Sequence, residues 1–165
     1  MHSPSKGKAV TVITRKSDYA ARVLLHLAKL PPGSSTTARH IAQQESIPEQ
    51  LIRHIVSQLA KAHLLVTRRG KGGGVQMARP AAQISLIDVV EAIQGPLILN
   101  TCTSDPEECP LAPECPMIDS WVRAQETLIR ELRQETLDKV VRRGVTLAGL
   151  QRTATIPCKE TPCTR

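Results

Sequence analysis

The chain has 165 residues, enough for one domain with an appendage but too few for two full domains. It is 41% apolar, yet it contains no Phe, one Trp and one Tyr, and such a composition favours helices over a β-sandwich or barrel. No run of 18 apolar residues is present, which excludes a membrane-spanning helix, and the basic start MHSPSKGKAV does not read as a signal peptide. We therefore expect a cytoplasmic protein without a membrane partner.

The charge is distributed unevenly along the chain. The net charge is +7, but residues 1–80 carry 13 basic and three acidic side chains, whereas residues 81–165 carry nine basic and 12 acidic ones. A basic first half is typical of a protein that binds a polyanion with one end. The alternative is that the excess of charge serves solubility only.

A helix-turn-helix is predicted in the basic half. A first amphipathic helix runs from Lys16 to the sequence Pro31-Pro32-Gly33, and a short helix follows from Thr37, its N-cap, to about Glu45. A tight turn at residues 46–48 leads from the short helix into the second helix of the motif, which starts near Pro48. The apolar stripe of that helix comprises Leu51, Ile52, Ile55, Val56 and Leu59. Two short helices around a tight turn form the motif that binds the major groove of DNA.

A two-stranded wing is predicted next. Residues 64–67 form a strand, residues 68–74 (RRGKGGG) a basic glycine-rich loop, and residues 75–77 a return strand. A loop that binds a nucleotide phosphate would need a helix directly after the glycines. This segment continues into a strand and Arg79-Pro80 instead, which argues against a nucleotide-binding site.

Helix geometry gives the candidate DNA contacts. Polar side chains recur at i, i+3, i+4 and i+7 opposite the apolar stripe and should face base edges; they are Gln50, Arg53, His54 and Ser57. Phosphate contacts are expected from Lys61 and from the residues at the start of the short helix that precedes the turn; the latter are Thr36, Thr37 and Arg39. Cations of the wing can enter a minor groove; they are Arg68, Arg69 and Lys71.

The second half is expected to contain a helix at 86–94 capped by Ser85, a long helix from about Pro116 to Arg133 and a short helix at 137–142. The fold class is mainly α: a winged helix-turn-helix domain (14–96), a cysteine loop (97–116), a dimerisation helix with a short following helix (117–142) and a flexible tail (143–165). The long helix exceeds what a domain of about 80 residues needs, so part of its apolar stripe should face a second copy in a two-fold homodimer. Alternatively, it folds back over its own domain.

Three cysteines lie in the acidic, proline-rich stretch CTSDPEECPLAPEC, at Cys102, Cys109 and Cys115. Its prolines are expected to keep it out of regular helix. Three thiolates within 14 residues can hold a soft metal centre, and their wide spacing suits an iron–sulfur cluster better than zinc, which usually takes C-x2-C pairs. Structural zinc and a thiol–disulfide switch remain alternatives.

The chain resembles the Rrf-two family of winged-helix regulators, which includes iron–sulfur proteins. The resemblance covers residues 14–142 and is carried by Ser17-Asp18-Tyr19-Ala20, by the turn at Ile47 and by RRGKGGGVQMARPAAQISLIDVVEAIQGP at 68–96. It implies a cytoplasmic homodimer that acts on a palindromic operator in double-stranded DNA, as a repressor. Cluster-binding members have three cysteines in this loop, and the resemblance implies that Cys102, Cys109 and Cys115 hold a cluster, with 4Fe–4S favoured over 2Fe–2S.

The resemblance also bears on the fourth ligand. One branch of the family uses a histidine three residues after the last cysteine, but that position is Ile118 here. Another branch uses an aspartate in the first helix of the other subunit, which matches Asp18. The alternative for Asp18 is an ion pair with Arg22. Lesser candidates are Asp105, Glu107, Glu108, Asp119 and the tail cysteines Cys158 and Cys163.

Catalysis is not expected. The five histidines all lie in the DNA-binding half, at positions 2, 26, 40, 54 and 63, and the spacings of a Ser/His/Asp triad or a metal hydrolase are missing.

Overall fold

A computed structural model describes residues 13–70 and 73–147, with the side chains of Glu108 and of residues 145–147 left out. This part of the chain contains seven α-helices and one two-stranded sheet, which confirms the mainly helical fold class. The helices are α1 (Arg15–Ala28), α2 (Ala38–Gln44), α3 (Glu49–Lys61), α4 (Leu86–Gln94), α5 (Thr101–Ser104), α6 (Ile118–Gln134) and α7 (Leu137–Leu147). The strands are β1 (Leu65–Arg68) and β2 (Gly74–Met77).

The helix-turn-helix forms as predicted. Thr37 caps α2 by accepting a hydrogen bond from the backbone N–H of His40 at 3.1 Å. At the turn, Ser46 adopts a left-handed conformation (φ 53°), and the N–H of Ile47 donates to the carbonyl of Ala42 at 2.9 Å. This reversal ends α2 and redirects the chain into α3, which begins directly after Pro48.

The wing is an antiparallel hairpin, in which Leu65 pairs with Met77 and Arg68 with Gly74. Its second strand is bound to the residue before α2: Thr36 and Val75 exchange backbone hydrogen bonds of 3.1 and 2.7 Å. A side chain at position 74 would bring its Cβ within 2.6 Å of the Thr36 carbonyl oxygen, so only glycine allows this close approach. The wing is thereby held beside the start of α2.

The main core lies between α1, α3, α4, the wing and α7, and it is aliphatic, as the composition requires. Leu137 at the start of α7 is fully buried in it. The corner between α6 and α7 is bonded to the start of α4, because the N–H of Leu86 donates to the Glu135 carbonyl at 2.8 Å and that of Leu137 to the Ile84 carbonyl at 2.9 Å. A second apolar cluster joins α4 to α6.

The two C-terminal helices differ in how well their bounds were predicted. The long helix runs from Ile118 to Gln134, within two residues of the predicted bounds. The last helix extends to Leu147, so residues 143–147 belong to a helix and not to a tail. The rest of the predicted tail, residues 148–165 with Cys158 and Cys163, lies outside the described residues. Ion pairs of Asp138 with Arg142 and of Glu135 with Arg143 support the added turn.

The cysteine segment was expected to lack helix, and this was also wrong. It contains α5 and two turns of 3-10 helix, Pro106–Glu108 and Ala112–Glu114. The prolines are compatible with these turns, since proline is favourable at the first positions of a helix, where no intrahelical N–H bond is lost. Among the described residues, no helix is long and apolar enough to span a membrane.

Candidate nucleic-acid interface and cysteine loop

One face of α3 is polar and exposed. Ile52, Ile55, Val56 and Leu59 are buried in the core, whereas Leu51, which was predicted to join them, is only half-buried. The opposite side carries the four predicted base-reading residues, and all four are exposed: Gln50, Arg53, His54 and Ser57. Their donors and acceptors are therefore available to the edges of base pairs.

The starts of α2 and α3 border an open groove of about 630 Å³. Predicted DNA contacts from both helices line it, namely Arg39, Gln50, Arg53 and His54, together with Glu49, Ala38 and Ile52. Ser57 lies one turn further along the exposed face and does not line the groove. The hydroxyl oxygen of Thr37 already accepts the N-cap hydrogen bond, so the hydroxyl proton is what this residue can offer a phosphate.

The wing adds two exposed arginines, Arg68 and Arg69. Lys71 lies outside the described residues. Because β2 is bonded to Thr36, the arginines of the wing and the groove between α2 and α3 belong to one connected unit. Lys61, at the end of α3, is also exposed.

The three cysteines are free and half-buried. Cys102 lies on α5, while Cys109 and Cys115 each follow a 3-10 turn as its C-cap. Within the described residues of this single chain, no group of three or more His, Cys, Asp or Glu side chains is assembled closely enough to hold a metal ion. A shared centre would therefore require the loop to close.

The cysteine loop is fastened to the long helix by Gln125. Its side-chain oxygen accepts hydrogen bonds from the N–H of Leu99 at 2.9 Å and from the hydroxyl of Thr103 at 2.6 Å. Asn100 caps α5 in addition, with its side-chain oxygen 2.9 Å from the N–H of Thr101. Cys102 thus lies between Leu99 and Thr103, the two residues that are bonded to Gln125 of α6.

Asp18 lies in the first turn of α1, with its side chain half exposed. Its carboxylate forms an ion pair with Arg22 at 2.9 Å, the alternative considered from the sequence. The guanidinium of Arg22 also lies 5.8 Å from the ring centre of Tyr19. Of the lesser carboxylate candidates, Asp105 caps the first 3-10 turn, and Glu107 and Asp119 are exposed.

Two site residues were missed from the sequence, Gln125 and Glu49. Gln125 could have been found, because it is a polar residue in line with Val122, Ile129 and Leu132 on the apolar side of α6. Glu49 was counted among the three acids of the basic half, but its pairing with Arg39 depends on how α2 and α3 meet in space.

Comparison with known proteins gives one family and several similar structures. The family model Rrf2, described as an iron-dependent transcriptional regulator, matches residues 13–143. CymR (YrzC), the global cysteine regulator of B. subtilis, superposes with a TM-score of 0.66 at 24% identity, over 79% of this chain and 96% of that chain. IscR of T. potens superposes with a TM-score of 0.67 at 18% identity, over 86% of this chain and 93% of that chain. The oxidized form of Staphylococcus aureus CymR superposes with a TM-score of 0.61 at 25% identity, over 78% of this chain and 94% of that chain.

Proposed function

Because the chain belongs to the Rrf2 family, whose members are transcriptional regulators and not enzymes, we propose that it is a homodimeric repressor controlled by an iron–sulfur cluster. Its winged helix-turn-helix would bind one half of a palindromic operator, and each half-site would lie about one DNA turn from the next. Such a regulator acts in the cytoplasm, where thiols stay reduced.

The exposed apolar residues of α6 and of the cysteine loop support the dimer. None of the 17 residues of α6, all of them described, is buried in the single chain, although the helix carries a continuous apolar stripe. Trp121 is 40% exposed, Met117 one turn before it is 50% exposed, and Leu111 in the cysteine loop is 74% exposed. A second copy would cover this surface. A purely monomeric protein at micromolar concentration in analytical ultracentrifugation would contradict the dimer.

The donor set of the loop fits a cluster. Three reduced thiols lie on one short segment, and each is half-buried, as ligands that shield a metal centre from water would be. Cys102, Cys109 and Cys115 would hold a 4Fe–4S cluster, and the partner subunit's Asp18 would complete its coordination. The cluster would supply a redox-active and chemically labile iron site; the signal would be nitric oxide, oxygen or iron supply.

Control of DNA binding would pass through the contacts that hold the loop. The loop is bonded through Gln125 to α6, and α6 packs on α4 through the second apolar cluster. Closing or releasing the loop would therefore shift α6 and with it the two DNA-binding units of a dimer relative to each other. This is an equilibrium between two arrangements that a ligand can bias.

The single observation that carries the proposal is the set of three free cysteines on one segment bonded to the long helix of an Rrf2 protein. The test is the content of iron, zinc and acid-labile sulfide, with the visible spectrum, in anaerobically purified protein. Iron and sulfide in equal amounts with a brown chromophore are expected. Replacing any one of Cys102, Cys109 and Cys115 by Ser should abolish both.

The tail supplies a matched control, since Cys158→Ser with Cys163→Ser removes two thiols outside the proposed site. This variant should keep its iron and its colour. Zinc without sulfide would make the loop a structural zinc site and would overturn the cluster proposal.

A thiol–disulfide switch is a second candidate. It is favoured by the similarity to CymR of B. subtilis, a global cysteine regulator, and to the oxidized form of Staphylococcus aureus CymR. It is also favoured by three cysteines that do not converge in the described single chain. Protein without iron, zinc or sulfide, whose DNA binding changes with oxidation of Cys102, Cys109 or Cys115, would establish it.

A further inference from the structure

The groove between α2 and α3 contains one carboxylate among its basic and polar lining. Glu49 is the first residue of α3, and its Oε1 lies 3.5 Å from Nε of Arg39 at the start of α2. Both side chains are largely exposed, at 70% and 77%, so each can leave the other at little cost. The pair sits beside Gln50 and Arg53, the residues expected to contact bases.

Glu49 differs from the other acids of the DNA-binding half. Among the described residues up to position 80, the acids are Asp18, Glu45 and Glu49. Asp18 is paired with Arg22 within α1, and Glu45 is partly buried against His26 at 3.0 Å. Only Glu49 faces the groove, on an otherwise basic surface that has to approach phosphates.

A carboxylate at this place opposes DNA binding unless it gains a specific partner. Phosphates repel it, and the first residues of a recognition helix are those that reach base edges in the major groove. Two amino groups donate hydrogen bonds there, cytosine N4 and adenine N6, and cytosine N4 is the better partner for a carboxylate because the adenine N7 acceptor lies next to N6 and repels the second carboxylate oxygen. We propose that Glu49 is a specificity-determining residue that accepts a hydrogen bond from cytosine N4 in each half-site, while Arg39 turns to the neighbouring phosphate.

A purely structural role for Glu49 makes different predictions. An acid in the first turn of a helix stabilises it by about 0.3–1 kcal/mol through the helix dipole, and an exposed ion pair adds about 0–1 kcal/mol. Both effects change stability, and removal of the charge would strengthen binding to every DNA sequence alike. Neither effect alters which base is preferred.

The test is selection of preferred sequences from a pool of random DNA duplexes by the full-length protein. The selection is done with the protein as purified anaerobically and again after iron chelation. The affinity of each variant for the selected duplex is then measured. This inference rests on DNA binding by the chain. Glu49→Ala should lose the preference for cytosine at one position of each half-site, by about 5- to 150-fold relative to the other bases. Glu49→Gln should shift that position towards adenine, because an amide pairs with adenine N6 and N7.

Glu91→Gln is the matched control, since Glu91 is an exposed acid on α4 that does not line the groove. It makes the same change of charge and should leave the selected sequence unaltered. Unchanged base preferences in both Glu49 variants, with a uniform gain in affinity for all duplexes, would overturn the inference. A wild-type protein that selects no sequence would overturn the inference and operator recognition together, whereas loss of the cytosine preference alone in Glu49→Ala supports both.

Discussion

Asp18 has one partner in the single chain and a different one in the proposed dimer. In the single chain its carboxylate pairs with Arg22, with both side chains about half exposed. Such an ion pair is worth about 0–1 kcal/mol, so it does not prevent the carboxylate from binding iron in a neighbouring subunit.

Asp18→Ala is expected to lower the amount of cluster retained after anaerobic purification and to uncouple DNA binding from the state of the cluster, because three cysteines leave one iron site incomplete. Asp119→Ala removes an exposed carboxylate next to the cysteine loop and serves as the control. If Asp18→Ala keeps both the spectrum and the regulated DNA binding of the wild type, the carboxylate is not a ligand.

Asp138 shows how a surface carboxylate contributes to stability near the corner between α6 and α7. A hydrogen bond from the Thr136 hydroxyl, followed by the hydrogen bond and charge of Arg142, lowers its pKa. A carboxyl whose folded pKa lies below its unfolded value stabilises the fold at neutral pH, and this contribution is lost as the pH falls through the folded pKa. Asp138→Asn should therefore be less stable than the wild type at pH 7, and the difference in unfolding midpoint should narrow progressively as the pH falls below about 4, the pKa of an unfolded Asp. A gap that stays constant from pH 7 to pH 3 would show that charge is not involved.

At the scale of elements, the cysteine segment shows what the sequence could and could not predict. The positions of α1 to α4 and of the wing follow from apolar periodicity, caps and turn residues, and these were predicted to within a few residues. The cysteine segment has no periodicity, and its prolines allow either an irregular loop or short helical turns. Contacts with α6 through Gln125 hold α5 at the start of this segment, and such long-range contacts cannot be deduced from local sequence.

Gln125→Leu is expected to loosen α5, because the oxygen that accepts from Leu99 and Thr103 is lost. The Thr103 hydroxyl can donate to the Asn100 carbonyl instead, so the loss amounts to one to two hydrogen bonds of about 1 kcal/mol each. This should speed the reaction of Cys102 with a thiol reagent by about 5- to 30-fold in metal-free protein. The readout is the rate of labelling at each cysteine, resolved by mass spectrometry.

Gln134→Leu makes the same chemical change at an exposed position at the end of α6 and should label at the wild-type rate. Equal labelling of Cys102 in the two variants would mean that Gln125 does not hold the loop.

For the molecule as a whole, the sequence predicted a DNA-binding unit followed by a cysteine loop and a long helix, and the family match and the fold confirm the regulator class. The extension of α7 to Leu147 was missed because the residues from Gly144 on are weakly patterned, whereas the ion pairs of Asp138 and Glu135 stabilise the end of the helix. The dimer depends on a second chain and the metal content on a bound group, and neither is encoded in the local pattern of the sequence. The exposed apolar residues of α6 and the three cysteines are the features from which we propose them.

The most direct test of cluster control is one titration of the selected duplex, at fixed salt, with a single anaerobic preparation before and after its iron is removed by chelation. Salt must be fixed because phosphate contacts make every affinity depend on it. A change in dissociation constant of about tenfold or more, absent in Cys109→Ser, is the result that the proposal predicts. Identical affinities in a preparation that contains iron and sulfide would contradict it, since the cluster would then have no influence on DNA binding.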